Sequence, residues 1–109
     1  MSEIREFHAH VYFDSASLEQ ARELCVAAGE KFALRVGRMH ERLVGPHPRW
    51  SCQLAFSPEL FGSVVPWLAL YRNGLTVFVH PETGDVVKDH TGHALWMGEI
   101  LELNLDAFA

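Results

Sequence analysis

The sequence lacks the features that mark membrane-spanning, secreted and nucleic-acid-binding proteins. Its longest apolar stretch, residues 64–71, is far shorter than the roughly 20 residues that a transmembrane helix requires. The first ten residues contain no apolar segment of the kind found in signal peptides. Basic residues are scattered and the net charge is −5, which disfavours binding to nucleic acid. We therefore expect a cytoplasmic protein that contacts neither membrane nor nucleic acid.

Cysteine is also scarce, with two residues in a chain of 109 and no C-x-x-C spacing. Cys25 lies on the apolar stripe of a predicted helix, and Cys52 lies on the inward side of a predicted strand. Both are interpreted as buried, reduced thiols, which fits a reducing compartment. The length is typical of one domain, so residues 1–109 are predicted to share a single core.

Histidine, by contrast, is abundant. Histidine is the commonest metal ligand in proteins and the usual proton shuttle near neutral pH. A terminal tag does not explain the excess, because the histidines are spread along the chain. They are His8, His10, His40, His47, His80, His90 and His93.

The hydrophobic pattern predicts the element order β-α-β-β-α-β, followed by a tail. Strands are expected at residues 6–13, 34–40, 50–56 and 75–80, and helices at residues 17–32 and 58–71. This order is typical of an α+β, ferredoxin-like fold. Its antiparallel sheet is expected to have the strand order 4-1-3-2, with both helices on one face. Residues 86–109 are predicted to be an irregular C-terminal extension, with a short strand near residues 101–105 as an option.

Several local signals refine this prediction. Ser17 and Gln20 have the spacing of a capping box, so the first helix is expected to begin there. Pro66 should kink or split the second helix, because proline lacks an amide donor and clashes with the preceding turn. Trp67 and Trp96 are interpreted as core residues rather than as parts of a binding pocket.

Three histidines are predicted to meet on the helix-free face of the sheet. His8 and His10 lie near the start of the first strand, and His80 ends the fourth strand, which should run antiparallel beside it. Opposed residues on such strands have Cβ atoms about 4.5–5.5 Å apart. Three imidazoles can form a metal site with open positions, as in non-haem Fe(II) oxygenases. The alternative is a solvated polar face on which these histidines bind nothing.

Other side chains are expected around this group. Tyr12, Gln53 and Phe78 share its face and are candidates for substrate contact. His47 lies between two prolines, whose restricted backbone suits a positioned imidazole, although an ordinary surface loop would have the same sequence.

A carboxylate could complete the metal shell. Glu82, Asp85 and Asp89 all follow His80 and are the carboxylates placed best for this role. The sequence does not select one of them.

Successive segments resemble signatures of the DOPA 4,5-dioxygenase family. They are FHAHVYF at 7–13, GPHP at 45–48, VPWL at 65–68, VHPETGD at 79–85 and LWMG at 95–98. As an ordered set they cover nearly the whole chain. Two departures from the family pattern are Tyr71, where asparagine is expected, and the bulky Trp50 that opens the third strand.

The resemblance implies a ferredoxin-like enzyme that cleaves DOPA or a related catechol in the extradiol manner, using non-haem Fe(II) and O₂. His8, His10 and His80 would then hold the metal. His47 and His90 would transfer protons. The resemblance does not fix the substrate or the ring bond that is cleaved.

A second hypothesis is a non-catalytic, ferredoxin-like dimeric module that binds a metal or small ligand on its histidine-rich sheet face. Under either hypothesis a homodimer is expected. Tyr12 and Phe78 would leave apolar surface on an uncovered sheet face, and monomers tend to hide such surface.

Overall fold

One antiparallel sheet of five strands organises the chain. The computed structural model describes residues 3–109. Met1 and Ser2 lie outside the described residues, although the prediction about a signal peptide includes them. The strands are β1 (Phe7–Phe13), β2 (Arg35–Val36), β3 (Trp50–Phe56), β4 (Val77–Pro81) and β5 (Leu95–Met97). Their spatial order is β2-β3-β1-β4-β5.

The α+β architecture agrees with the sequence prediction, but the strand order 4-1-3-2 is not the observed order. A fifth strand, β5, pairs antiparallel with β4 and extends the sheet at that edge. Strand β1 does lie between β3 and β4, antiparallel to both. The position of the candidate site depends on these two pairings.

Two long helices cover one face of the sheet. They are α1 (Leu18–Lys31) and α2 (Phe61–Tyr71). Alternation along β1 turns every second side chain toward these helices, as its period of two requires. The core contains Phe7, Ala9, Val11 and Phe13 of β1, Ala21, Leu24, Cys25 and Ala28 of α1, and Val64 and Leu68 of α2. Cys25 and Cys52 are both buried free thiols, as predicted.

The start of α1 differs from the predicted capping box. Ser17 makes no side-chain capping bond to the helix. The carboxylate of Asp14 instead accepts hydrogen bonds at 3.0 Å from the backbone N–H groups of Ala16 and Ser17. The Ser17 hydroxyl turns back and accepts a hydrogen bond from the Asp14 N–H, also at 3.0 Å. Asp14 therefore stabilises the turn that precedes α1, and the side chain of Ser17 bonds to Asp14 instead of capping the helix.

The second helix is not split at Pro66. A 3-10 turn at Pro58–Leu60 leads into α2, which is continuous through Pro66 to Tyr71. Packing of Val64 and Leu68 against the sheet stabilises the helix on both sides of the proline.

The predicted strand ends also need correction. Strand β2 is only two residues long and is followed by an isolated bridge between His40 and Ser51. Strand β4 begins at Val77 rather than Leu75, because Asn73 and Gly74 adopt positive φ angles of 51° and 79°. In the turn that they form, the Leu75 N–H donates a hydrogen bond of 2.9 Å to the Arg72 carbonyl.

The C-terminal extension is more regular than expected. It contains a short helix α3 (Val86–Asp89), strand β5 and a 3-10 turn at Leu105–Phe108. The optional strand near residues 101–105 does not form. Within residues 3–109, no helix combines the length and apolar composition needed to cross a bilayer.

The helix-side core predicts a contrast between two leucines of α2. Leu68 is fully buried whereas Leu70 is 79% exposed. We expect Leu68→Ala to lower the free energy of unfolding by about 2–5 kcal/mol, because it leaves a cavity in the core. Leu70→Ala should change it by less than about 0.5 kcal/mol. Urea denaturation of both variants measures the difference, and equal effects would contradict this packing.

Candidate metal centre

Strand pairing brings the predicted histidines together on the sheet face opposite α1 and α2. His8 of β1 is the direct partner of His80 on β4, and His10 is opposite Phe78 on β4 and Gln53 on β3. The neighbouring β1 residues with the other parity lie in the helix-side core. The predicted convergence of His8, His10 and His80 is therefore present.

The three imidazoles could hold a metal ion. One ligand nitrogen from each of His8, His10 and His80 lies within 4.8 Å of the other two. The Nε2 atoms of His10 and His80 are 3.0 Å apart. Two nitrogens bound about 2.1 Å from one ion and at right angles to each other are also separated by about 3.0 Å. These two imidazoles thus have the spacing of neighbouring ligands.

His80 is held in the tautomer that a metal needs. Its Nδ1–H donates a hydrogen bond of 2.9 Å to the Pro81 carbonyl. The Nε2 lone pair is then free to face His10. A carbonyl on the second ring nitrogen is the usual way in which proteins orient a metal-binding histidine.

His8 has a different environment, because carboxylates contact both of its ring nitrogens. Nε2 lies 2.5 Å from a Glu6 oxygen, and Nδ1 lies 3.0 Å from a Glu82 oxygen. Arg35 in turn donates to both Glu6 oxygens, at 3.0 and 3.1 Å. Glu6 and Arg35 were missed by the sequence analysis, although Glu6 shares the parity of His8 and His10.

Burial keeps the central imidazoles neutral. Desolvation is the main cause that lowers the pKa of His80 to about 4. Burial also holds the pKa of His10 well below its usual value, and cationic forms of His47 and His80 would lower it further. Metal ions bind neutral imidazole, so this environment favours coordination over protonation.

His47 and Tyr12 form a hydrogen-bonded pair beside this group. The Tyr12 hydroxyl and His47 Nδ1 are 2.7 Å apart, and the His47 ring centroid lies 4.0 Å from that of His10. Burial lowers the pKa of His47 to about 4 and raises the pKa of Tyr12. Both side chains are therefore neutral near pH 7.

His90 lies on the other side of the group. Its ring centroid is 4.0 Å from that of His80, and its Nδ1–H donates to the Val86 carbonyl at 2.7 Å. The five imidazoles that meet here are referred to below as the histidine cluster. They are His8, His10, His47, His80 and His90.

The face that carries the cluster is covered, contrary to expectation. Trp96 of β5 stacks on Phe78 with centroids 4.4 Å apart, and Phe108 lies 4.7 Å from His90. The Asn104 N–H donates to the Pro46 carbonyl at 2.9 Å, which joins the C-terminal extension to the His47 loop. Trp96 is thus part of this site rather than of the helix-side core. Neither it nor Phe108 was predicted here.

This cover removes the reason given for a homodimer. Tyr12 is 1% exposed and Phe78 is fully buried, so neither offers apolar surface to a partner. The homodimer itself stays a prediction. Gln53 is half-buried beside His10, and the expected substrate contacts of Tyr12, Gln53 and Phe78 also stay predictions.

Comparison with known proteins places this geometry in a family. A profile of the Dopa 4,5-dioxygenase family matches residues 7–107. The chain belongs to this family. The match includes all five members of the histidine cluster and Trp96, one of the aromatic residues that cover it.

Individual relatives agree with this membership. A DOPA 4,5-dioxygenase of Amanita muscaria is 34% identical over 113 positions, and an uncharacterised 21.2 kDa protein of Botryotinia fuckeliana is 40% identical over 111 positions. These alignments include 95% and 91% of the chain but only 50% and 61% of the relatives' own lengths. A crystal structure of a candidate dioxygenase from Nostoc punctiforme is 48% identical, with a TM-score of 0.94 over 96% of this chain and 91% of that one.

The lowered histidine pKa values predict acid sensitivity of the metal-free protein. The pKa of His47 is about 4 in the folded state and near 6.5 in the unfolded chain. Between these values the unfolded chain binds more protons, so stability must fall as pH drops from 6.5 to 4. The slope is at most about 1.4 kcal/mol per pH unit for each such histidine.

Urea denaturation of chelator-treated protein at several pH values measures this slope. His47→Gln should show a shallower fall than the parent over the same window, because one buried titrating group is gone. Identical slopes for parent and variant would show that His47 is not held neutral by burial.

Proposed function

We propose that the chain is an extradiol dioxygenase that cleaves a catechol ring with Fe(II) and O₂. The observation that carries the proposal is the convergence of His8, His10 and His80 within 4.8 Å in a member of the Dopa 4,5-dioxygenase family. The two imidazoles beside them, His47 and His90, supply groups for proton transfer. Iron, catechol and the extradiol course of cleavage are parts of the proposal.

The donor set fits a ferrous ion. Imidazole nitrogens suit Fe(II), and a site with three protein ligands leaves coordination positions open. His8, His10 and His80 would hold the ion. Bound there, Fe(II) would bring a catechol oxygen and O₂ into contact.

His47 is the residue proposed to remove a proton from the catechol. Its Nδ1 is engaged by Tyr12, which leaves Nε2 as the atom that can accept a hydroxyl proton. Its pKa of about 4 makes it neutral, and therefore able to act as a base, throughout the neutral pH range. A bound catechol would raise that pKa as its own negative charge develops.

His90 is proposed to take part in the second proton transfer. The Val86 carbonyl accepts its Nδ1–H, so Nε2 is the atom that exchanges a proton with substrate. His90 and His47 contact different ligands, His80 and His10 respectively. The two imidazoles could therefore serve as acid and base at separate atoms of one substrate.

Aromatic side chains line the proposed site and shield it from water. Phe78 and Trp96 stack against each other beside the cluster, and Phe108 covers His90. A catechol ring would stack on such surfaces. Because the cluster is nearly enclosed, admission of substrate requires movement of residues 104–109. Within residues 104–109, the backbone hydrogen bond from the Asn104 N–H to the Pro46 carbonyl connects this segment to the His47 loop.

DOPA or a related catechol is the proposed substrate. The Amanita muscaria relative is a DOPA 4,5-dioxygenase, and it is 34% identical to this chain. The chain spans half of that relative's length, so the choice among catechols is left to the assay. A cytoplasmic location remains part of the proposal and is consistent with the two free buried cysteines.

A non-catalytic metal-binding module is the second candidate. It is favoured by burial, since His80 is 1% and His10 is 5% exposed, and closed sites are typical of structural metals. Aerobic addition of Fe(II) and a catechol distinguishes the two functions. A dioxygenase yields a coloured ring-fission product, whereas a structural site binds metal without consuming O₂.

Ring cleavage should depend on the two histidines at the centre of the cluster. We expect His10→Ala and His80→Ala to lower the rate at least about 100-fold with Fe(II) supplied, because each removes a ligand. His40→Ala is the control, since His40 lies outside the cluster. Absorbance of the product and O₂ uptake measure the rate.

Because His10 and His80 are buried, His10→Gln and His80→Gln serve as second variants that leave smaller cavities than alanine. Melting temperatures show which variants are folded. A folded variant at position 10 or 80 that keeps the parental rate would refute the assignment of these ligands.

A further inference from the structure

The sequence offers three carboxylates that could complete the metal shell, and the structure distinguishes them. We propose that Glu82 is the carboxylate that joins His8, His10 and His80 as a fourth metal ligand, and that Glu6 is a positioning residue that orients His8. The inference deepens the metal site of the proposed function and rests on it, but it does not depend on which substrate is cleaved.

Two of the three candidates are already engaged elsewhere. Asp89 is fully buried, and its oxygens accept hydrogen bonds of 2.7 Å from both the N–H and the hydroxyl of Thr83 and one of 3.0 Å from His93. Asp85 caps helix α3 by accepting the Lys88 N–H at 3.2 Å. Neither carboxylate has an observed contact with the histidine cluster.

Glu82 is placed differently, next to the cluster. It directly follows β4, and alternation along the strand puts it on the same sheet face as His80. Its backbone is fixed to the start of β1, since its N–H donates to the Glu6 carbonyl and its carbonyl accepts the Arg5 N–H, both at 2.9 Å. The side chain is 33% exposed, and its carboxylate contacts His8.

The distance from Glu82 to His8 is that of two neighbouring ligands. Glu82 Oε1 lies 3.0 Å from His8 Nδ1. An oxygen and a nitrogen that bind one ion at about 2.1 Å and at right angles are about 3.0 Å apart. The same spacing separates Nε2 of His10 from Nε2 of His80. Glu82 lies outside the group of ligand atoms that are within 4.8 Å of one another, so its carboxylate would have to turn toward the ion shared by the imidazoles when the metal binds.

Glu6 explains why Nδ1 is the nitrogen of His8 that is left for a metal. Glu6 precedes His8 by two residues, so it lies on the same sheet face as His8 and across from Glu82. His8 Nε2–H donates to Glu6 at 2.5 Å, and Arg35 fixes the Glu6 carboxylate through both oxygens. With Nε2 occupied, Nδ1 is the nitrogen that faces Glu82, and a bound metal would replace the hydrogen shared by Nδ1 and the carboxylate. Glu6 itself is ruled out as a ligand because Arg35 and His8 engage both of its oxygens.

Metal affinity tests the assignment directly. Co(II) serves as the probe, because its visible absorption reports ligand number and type, and competition with a chromophoric chelator gives its Kd. We expect Glu82→Ala to raise the Kd about 100-fold and to change the absorption spectrum. Asp85→Asn, three residues away in the same turn, is the matched control and should bind like the parent.

Glu6→Gln should have a smaller effect that is distinct in kind. The amide oxygen can still accept the Nε2–H of His8 but no longer pairs with Arg35, so the Kd should rise about tenfold with little change in the spectrum. Melting temperatures of the metal-free variants should match the parent within a few degrees, because Glu82 and Glu6 are both partly exposed.

Several outcomes would overturn the proposal. Glu82→Ala with the parental Kd and spectrum would show that the carboxylate is not a ligand, and a parent that binds no Co(II) would remove the site altogether. Failure of the proposed function looks different. In that case Co(II) binding would depend on Glu82 as described, yet the iron-loaded parent would cleave none of the catechols offered to it.

Discussion

The candidate site depends on the antiparallel pairing of β1 with β4. This pairing sets His8 directly opposite His80 and places His10 one pleat further along the same face. Because side chains alternate, a slip of one residue would turn these histidines toward the helices and expose the apolar core residues. The burial of Val11, Val77 and their neighbours under α1 and α2 therefore fixes the register that also builds the metal centre.

The sheet is covered on both faces, but by different means. The helices form an apolar core on one face, whereas the opposite face is closed by a loop, by β5 and by the C-terminal residues. This second cover makes the histidine cluster an enclosed polar site with aromatic walls. Enclosure lowers the pKa of His80 and His47 and so keeps these two imidazoles neutral.

Alternation along β1 and β4 was strong enough in the sequence to predict which face carries His8, His10 and His80. The cover could not be predicted in the same way. Strand β5 is three residues long, too short to show a period, and Phe108 lies in a 3-10 turn that gives no repeating pattern. Alternation alone predicts that Tyr12 and Phe78 are exposed, and for that reason it also favours a dimer.

The carboxylate that would complete the metal shell also could not be predicted from the sequence. Glu82, Asp85 and Asp89 are equivalent in sequence spacing, and the contacts that separate them are tertiary. Asp89 accepts hydrogen bonds from Thr83 and His93, whereas Glu82 contacts His8. Such choices depend on hydrogen bonds between side chains, which a one-dimensional pattern does not encode.

The most direct test is the location of the bound ion. Crystals of the protein grown with Co(II) or with Fe(II) under anaerobic conditions, and measured at the absorption edge of the metal, show the ion as an anomalous difference peak. We predict one strong peak about 2.1 Å from Nε2 of His10 and of His80, within reach of Nδ1 of His8. A peak at His93 and Asp89 instead, or none at the histidine cluster in metal-loaded crystals, would contradict the metal centre described above.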